Sequence, residues 1–325
     1  MKQRNPMHIV CRTLCLYLIA ISVSFAQTEP EPAEAGSPAE QPPSRAALPE
    51  RSDQEAAGLM ARLPTEQQRM LSADEAPFLS LWLPANRNTA KGTVIVVPGD
   101  NETADWPRVV GPLRRTLPDS GWQTLSITLP DPLDLLGSQA ITPPPAQEPP
   151  TDANEPSEEA ATQESPPPAA ENAGASDDTE EKKDRFAAHS ERVFARIQAA
   201  IDEASQQQPA NVVLVGHGTG AYWAARFASE ADAASVKHLA LVDGKVAAGF
   251  SPSLEELAPA LKIPVADIET RTSQEDRAAA LKRVQASKRL GHPNYRQIRL
   301  DSLSSDRDTA QAQIARRVSG WLSQQ

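Results

Sequence analysis

The sequence predicts an α/β fold in which a mostly parallel sheet is covered by helices on both faces and opened by an antiparallel hairpin. Three observations carry this reading. Apolar, β-branched runs at residues 94–97 and 212–215 lack polar alternation, as strands buried on both faces require. Helical patterns alternate with such runs nearly to the chain's end. One stretch, VVLVGHGTGAYWAARFA at residues 212–228, passes from strand to helix through three glycines in five residues, Gly216, Gly218 and Gly220.

The chain opens outside that fold. Lys2, Arg4 and Arg12 accompany a mostly apolar stretch at residues 14–25, and Ser24-Phe25-Ala26 fits a small-x-small cleavage site, so residues 1–26 read as a secretory signal peptide. Its apolar core falls short of the ~20 residues of a membrane span. The expectation is export to the periplasm, with no membrane span after cleavage. Cys11 and Cys15, the two cysteines of the chain, both fall in the signal. A mature chain without thiols excludes a disulfide framework, a thiol nucleophile and a cysteine–metal centre, and it suits an oxidising compartment.

Residues 27–50 are rich in Pro, Glu and Ala and cannot bury enough apolar surface to order themselves, so they read as a disordered leader. A second such segment, residues 137–184, holds nine prolines, and its twelve acidic residues against Lys182 and Lys183 leave it at −10 of the chain's net −11. It reads as a disordered insert in a domain spanning residues 51–325, either an interaction tether or, the favoured reading, an insertion tolerated because long loops add little closure entropy. No basic patch points to nucleic acid.

Within the domain, residues 51–63 form a short helix ended by Pro64. Residues 67–71 and 77–83 form a hairpin around Ala73-Asp74-Glu75. Residues 92–97 make a buried strand, Trp106-Pro107 open a helix running to Leu117, and residues 122–129 make a strand stopped by Pro130. After the insert, Phe186, Val193, Ile197 and Ile201 stripe a helix over about 185–204. Beyond the central stretch come strands at 236–242 and 263–268, a charged helix at 274–290 and a last strand at 295–300. Ser305 and Asp308 form a capping box for a closing helix that buries Ala310, Ile314, Val318, Trp321 and Leu322.

The central stretch has the form of a nucleophile elbow, G-x-S-x-G, in which the residues two before and two after the tip must be small. Gly216 and Gly220 satisfy this, but the tip is Gly218 and offers no hydroxyl. His217 occupies a place where histidine is frequent and structural. Thr219 lies one residue past the tip: its backbone N–H suits an oxyanion hole and its hydroxyl is expected to point away. The second oxyanion N–H belongs to Asp100 in Pro98-Gly99-Asp100, where a carboxylate repels an oxyanion unless it turns to solvent. For the triad acid Asp267 is the best match and Asp243 the second, each also readable as a strand-end cap. The base is expected in residues 300–305, yet no histidine follows His292. Nucleophile and base are absent together.

A rival reading is open. Gly216, Gly218 and Ala221 also spell G-x-G-x-x-A, with Asp243 about 20 residues on, as in a dinucleotide fingerprint. Its usual place in the first βαβ unit and the expected export weigh against it.

The runs GTVIVVPGDNETADWPRVVGPLRRTLPDSGWQTLSITLP, VVLVGHGTGAYWAARFA and the ending NYRQIRL…RVSGWL resemble a bacterial family of exported α/β-hydrolase-like proteins labelled as a domain of unknown function. The resemblance implies the α/β-hydrolase fold and export. It implies no reaction, and a non-serine elbow is in keeping with it. The sequence thus leads to the expectation of a pseudoenzyme: a binding or scaffold module for a small molecule or periplasmic protein, without cofactor or metal. The alternatives are an esterase-like hydrolase with an unorthodox site using His217, Asp100 or Thr219, and a dinucleotide-binding protein.

Overall fold

Two residues that must turn sharply begin the sheet. Asp74 and Glu75, with φ of 48° and 65°, reverse the chain between β1 (Gln68–Ala73) and β2 (Ala76–Leu83). Both in the left-handed region, they match the twist that two-residue hairpins favour. The structure is a computed structural model and describes residues 50–133, 177–207, 211–230, 235–270 and 273–325, all within one unit, Leu48–Gln325. The expected signal peptide with Cys11 and Cys15, the leader up to residue 49 and residues 137–176 of the expected insert lie outside the described residues.

The remaining strands are β3 (Thr93–Val97), β4 (Gln123–Ile127), β5 (Val212–His217), β6 (Val236–Val242), β7 (Val265–Glu269) and β8 (Tyr295–Arg299). The helices are α1 (Arg51–Arg62), α2 (Val110–Thr116), α3 (Asp177–Gln206), α4 (Thr219–Glu230), α5 (Leu254–Ala260), α6 (Gln274–Arg289) and α7 (Arg307–Leu322). The strands lie in the order β1-β2-β4-β3-β5-β6-β7-β8. β2 pairs antiparallel with β1 and β4, and every other pairing is parallel. Mostly parallel, with an antiparallel hairpin at one edge, the sheet has the predicted class.

Alternate strand residues serve opposite faces. Ile95, Val97, Leu214, Leu239 and Leu241 pack under α3, α4 and α5. Val94, Val96, Val213, Val215 and Val242 pack under α2 and α7. This double cover explains the unbroken apolar runs. Truncating Ile95 or Leu214, both fully buried, to alanine costs about 2–5 kcal/mol.

Several boundaries differ from the sequence reading. α3 begins at Asp177, so residues 177–184 are helical rather than insert. The prolines that bar a helix stop at Pro168, and acidic residues suit a helix's positive end. The helix expected from Trp106 begins only at Val110, after a run of turns. The cap of α7 is Asp306, whose carboxylate accepts the Thr309 N–H at 2.8 Å, and not Ser305. A helix the sequence reading passed over, α5, carries a true capping box in Ser253 and Glu256. Among the described residues no helix is long and apolar enough to cross a membrane.

Chain order turns back between β3 and β5: from β3 it steps one way to β4, and from β5 the other way to β6. Open α/β sheets bind ligands in the crevice such a switch leaves at the strands' carboxyl ends. The Pro98-Gly99-Asp100 loop and the glycine turn meet there.

Candidate functional site

The elbow's local geometry follows from its glycines. Gly218 takes φ +58°, which a side-chain-bearing residue rarely adopts. A Cβ on Gly216 would sit 2.4 Å from the Ala221 Cα, and one on Gly220 would sit 2.2 Å from the Pro98 carbonyl oxygen. α4 is thereby drawn tight against the ends of β5 and β3. Gly218 is anchored at both ends of its peptide: its N–H donates to the Val242 carbonyl at 3.0 Å, and its carbonyl accepts the Lys245 N–H at 2.9 Å. A Cβ on Gly218 would meet nothing within 4 Å. The elbow is therefore complete in backbone and empty at its tip.

The loop after β3 supplies a partner that sequence reasoning missed. Asn101, at φ +62°, turns the chain so that the Glu102 N–H donates to the Gly99 carbonyl at 3.0 Å. The Glu102 carboxylate then accepts the Gly99 N–H at 2.8 Å and lies 2.8 Å from Nδ1 of His217. Both side chains are largely buried, 12% and 10% exposed. This is a carboxylate–imidazole pair in which the carboxylate fixes the ring and favours the tautomer with the proton on Nδ1. Nε2 is then the nitrogen left for an occupant of the site. The one local signal for Glu102 is its place three residues after Gly99, in a turn that lets it bond back to the loop.

Asp100 and Thr219 meet each other instead. The Asp100 N–H, expected to aim at an oxyanion, donates to the Thr219 hydroxyl at 2.6 Å. Burial pushes the Asp100 carboxyl above its ordinary range; a hydrogen bond from Thr219 opposes this and the Glu102 charge adds to it. The Thr219 hydroxyl does not simply point away: it is bonded to Asp100, and Thr219 lies outside the lining of the cavity that holds His217.

The two candidate acids separate. Asp243, at φ +49° just after β6, accepts the Thr270 N–H at 2.7 Å on one oxygen and the Thr270 hydroxyl on the other. It is a cap that ties the end of β6 to the loop after β7, and this also occupies the carboxylate that a dinucleotide ribose would need. Asp267 is not at a strand end. It is fully buried within β7, bonded to Arg283 at 2.9 and 3.1 Å and to the Tyr295 hydroxyl at 2.6 Å. Arg283 also reaches Glu269, whose carboxyl burial and the Asp267 charge push up to about 9. Asp267 therefore balances a buried arginine and has no part in the elbow.

A cavity of about 550 Å³ gathers the rest. Its walls include Glu102, His217 and Asp243, the apolar Trp106, Val109, Leu303 and Ile314, and the two arginines Arg108 and Arg307. Asp100, Gly218 and Thr219 are not among its walls. The loop expected to bear the base does reach this cavity, but it presents Leu303, Ser304 and Ser305. A slightly larger cavity of about 610 Å³, lined by Arg299, Asp301, Arg316 and Arg317 among others, holds none of the elbow groups. Among the described residues no cluster of His, Cys, Asp and Glu is arranged to hold a metal ion.

Comparison with known proteins agrees with the fold. A family model described as "Protein of unknown function (DUF3530)" matches residues 7–324. No curated protein matches the chain. Among solved structures, a provisionally assigned dienelactone hydrolase from Klebsiella pneumoniae superposes with a TM-score of 0.52 at 12% identity, covering 79% of this chain and 98% of its own. A Pyrococcus furiosus esterase gives 0.50 at 11% identity, covering 79% and 90%. Est1E from Butyrivibrio proteoclasticus gives 0.50 at 11%, covering 79% and 98%. At these identities the likeness is one of fold, and the fold is that of α/β hydrolases.

Proposed function

The chain belongs to the family described as a protein of unknown function (DUF3530), and on that premise we propose that it is an exported, esterase-like hydrolase of small molecules in which His217 activates water directly. The observation that carries this reading is the 2.8 Å contact between His217 Nδ1 and Glu102 on the wall of the elbow cavity. Nε2 takes a proton from water as the oxygen attacks a carbonyl, and Glu102 stabilises the imidazolium that forms. The imidazolium then returns its proton to the leaving alkoxide. No covalent intermediate forms. General-base catalysis of this kind contributes about 10²–10⁴-fold, so turnover is slow beside a serine hydrolase. Export and a periplasmic location rest on the charged, apolar and small-residue pattern of residues 1–26.

A second reading, binding without turnover, is favoured by one observation: the Asp100 N–H is already satisfied by Thr219. The two readings separate in one assay. The purified mature chain is given short acyl esters beside His217→Ala and Glu102→Gln variants, and is treated with a fluorophosphonate probe. The hydrolase reading expects slow turnover that both variants abolish, with no labelling. Rates equal to buffer in all three proteins leave the binding module; stoichiometric labelling overturns both.

A further inference from the structure

The elbow cavity carries two cations that the water-activating chemistry does not use. Arg108 comes from the turns after β3 and Arg307 is the first residue of α7, and both line this cavity. Both are exposed. Two carboxylates of the same lining, and Asp306 beside Arg307 in sequence, are engaged elsewhere. Glu102 holds His217 and the Gly99 N–H. Asp243 holds Thr270. Asp306 caps α7 through the Thr309 N–H, and Asp308 is exposed beside Arg307 in sequence. Among the described residues neither Arg108 nor Arg307 is joined to a carboxylate.

Resting on the hydrolase reading, we propose that this cavity selects esters that carry an apolar body and a free carboxylate. The cavity's lining supplies each kind of group. His217 and Glu102 supply the polar site where a carbonyl and water would meet. Trp106, Val109, Leu303 and Ile314 form apolar walls that remove a hydrocarbon segment from water. The two guanidinium groups offer planar, paired donors that fit a carboxylate and gain little from a neutral end. A volume of about 550 Å³ admits a substrate of that extent.

The test pairs 4-nitrophenyl butyrate with mono(4-nitrophenyl) glutarate, which carries a free carboxylate. The wild-type chain should prefer the glutarate ester, mainly through KM. Arg108→Gln and Arg307→Gln should each reduce that preference by about tenfold, and 0.5 M salt should weaken it in the wild type. A binding arm needs no turnover: fluorescence, with Trp106→Phe as the blank, follows titration with 4-phenylbutyrate and with its uncharged amide. Tighter binding of the acid, lost in the arginine variants, supports the anion site even where no ester is cleaved. Turnover of both esters with equal kcat/KM overturns the selectivity and leaves the hydrolase reading standing. Equal binding of acid and amide overturns it in the absence of turnover. Should either variant fold poorly, the salt dependence of the wild type decides.

Discussion

Restoring a serine to the elbow, Gly218→Ser, should give a folded protein that still lacks serine-hydrolase activity. The steric cost is small, because a Cβ at this position meets nothing within 4 Å. The conformational cost is not zero, because φ is +58°; a left-handed L-residue costs about 1–2 kcal/mol. For a domain of this size each kcal/mol lowers Tm by about 2–4 °C, so the variant should melt about 2–8 °C below the wild type. The new hydroxyl would still lack a base: His217 is held at Nδ1 by Glu102 from the preceding position, and residues 303–305, on the wall where a base would stand, are Leu, Ser and Ser. Thermal unfolding and fluorophosphonate labelling read the two parts separately. Rapid, stoichiometric labelling of G218S would refute the argument that the base was lost with the nucleophile. A fall in Tm beyond about 15 °C would refute the open space above the tip.

Gly220→Ala should behave in the opposite way: its Cβ would lie 2.2 and 2.3 Å from two backbone carbonyls, an overlap that costs about 3 kcal/mol or more, seen as a large loss of Tm or of soluble protein. Arg283→Met should destabilise by about 3–5 kcal/mol, because it leaves Asp267 charged and fully buried; denaturant unfolding at neutral pH measures this. Glu269 binds its proton more tightly folded than unfolded, so its contribution to stability is present below about 4.5 and is lost as pH rises towards about 9. Glu269→Gln should flatten that decline in a pH series of unfolding curves. Asp306→Ala should lose a helix cap worth about 1 kcal/mol, whereas Ser305→Ala should leave Tm nearly unchanged, which distinguishes the observed cap from the neighbouring residue.

Much of the fold was legible because its causes are local. Unbroken valine runs marked the strands covered on both faces, and Asp74-Glu75 marked the hairpin. The elbow was legible as a pattern of glycines: Gly216 is demanded by atoms of its own turn, whereas Gly220 is demanded by the Val97 and Pro98 carbonyls at the end of β3. The misplaced boundaries fall where local signals leave a choice open. Ser305 and Asp306 are adjacent and equally suited to cap a helix, and which one does so depends on where α7 docks. Trp106-Pro107 has the form of a helix start, yet the chain first spends several residues in turns that place Trp106 and Arg108 on the cavity wall.

The site itself was legible only in its absences. That no serine stands at the tip and no histidine in residues 300–305 can be read from the chain. Asp267, in the expected place for a triad acid, is claimed by Arg283, sixteen residues on and brought over it by α6. Glu102 and His217 are 115 residues apart, and nothing along the chain pairs them. The parallel pairing of β3 with β5, running from Thr93 beside Val212 to Val97 beside Gly216, brings their loops together. Residue types and glycine positions determined which groups were available, because backbone conformation and hydrophobic pattern act over a few residues. Tertiary structure decided which of them meet, because burying both faces of the sheet sets strand order and register, and those set the distance between Glu102 and His217.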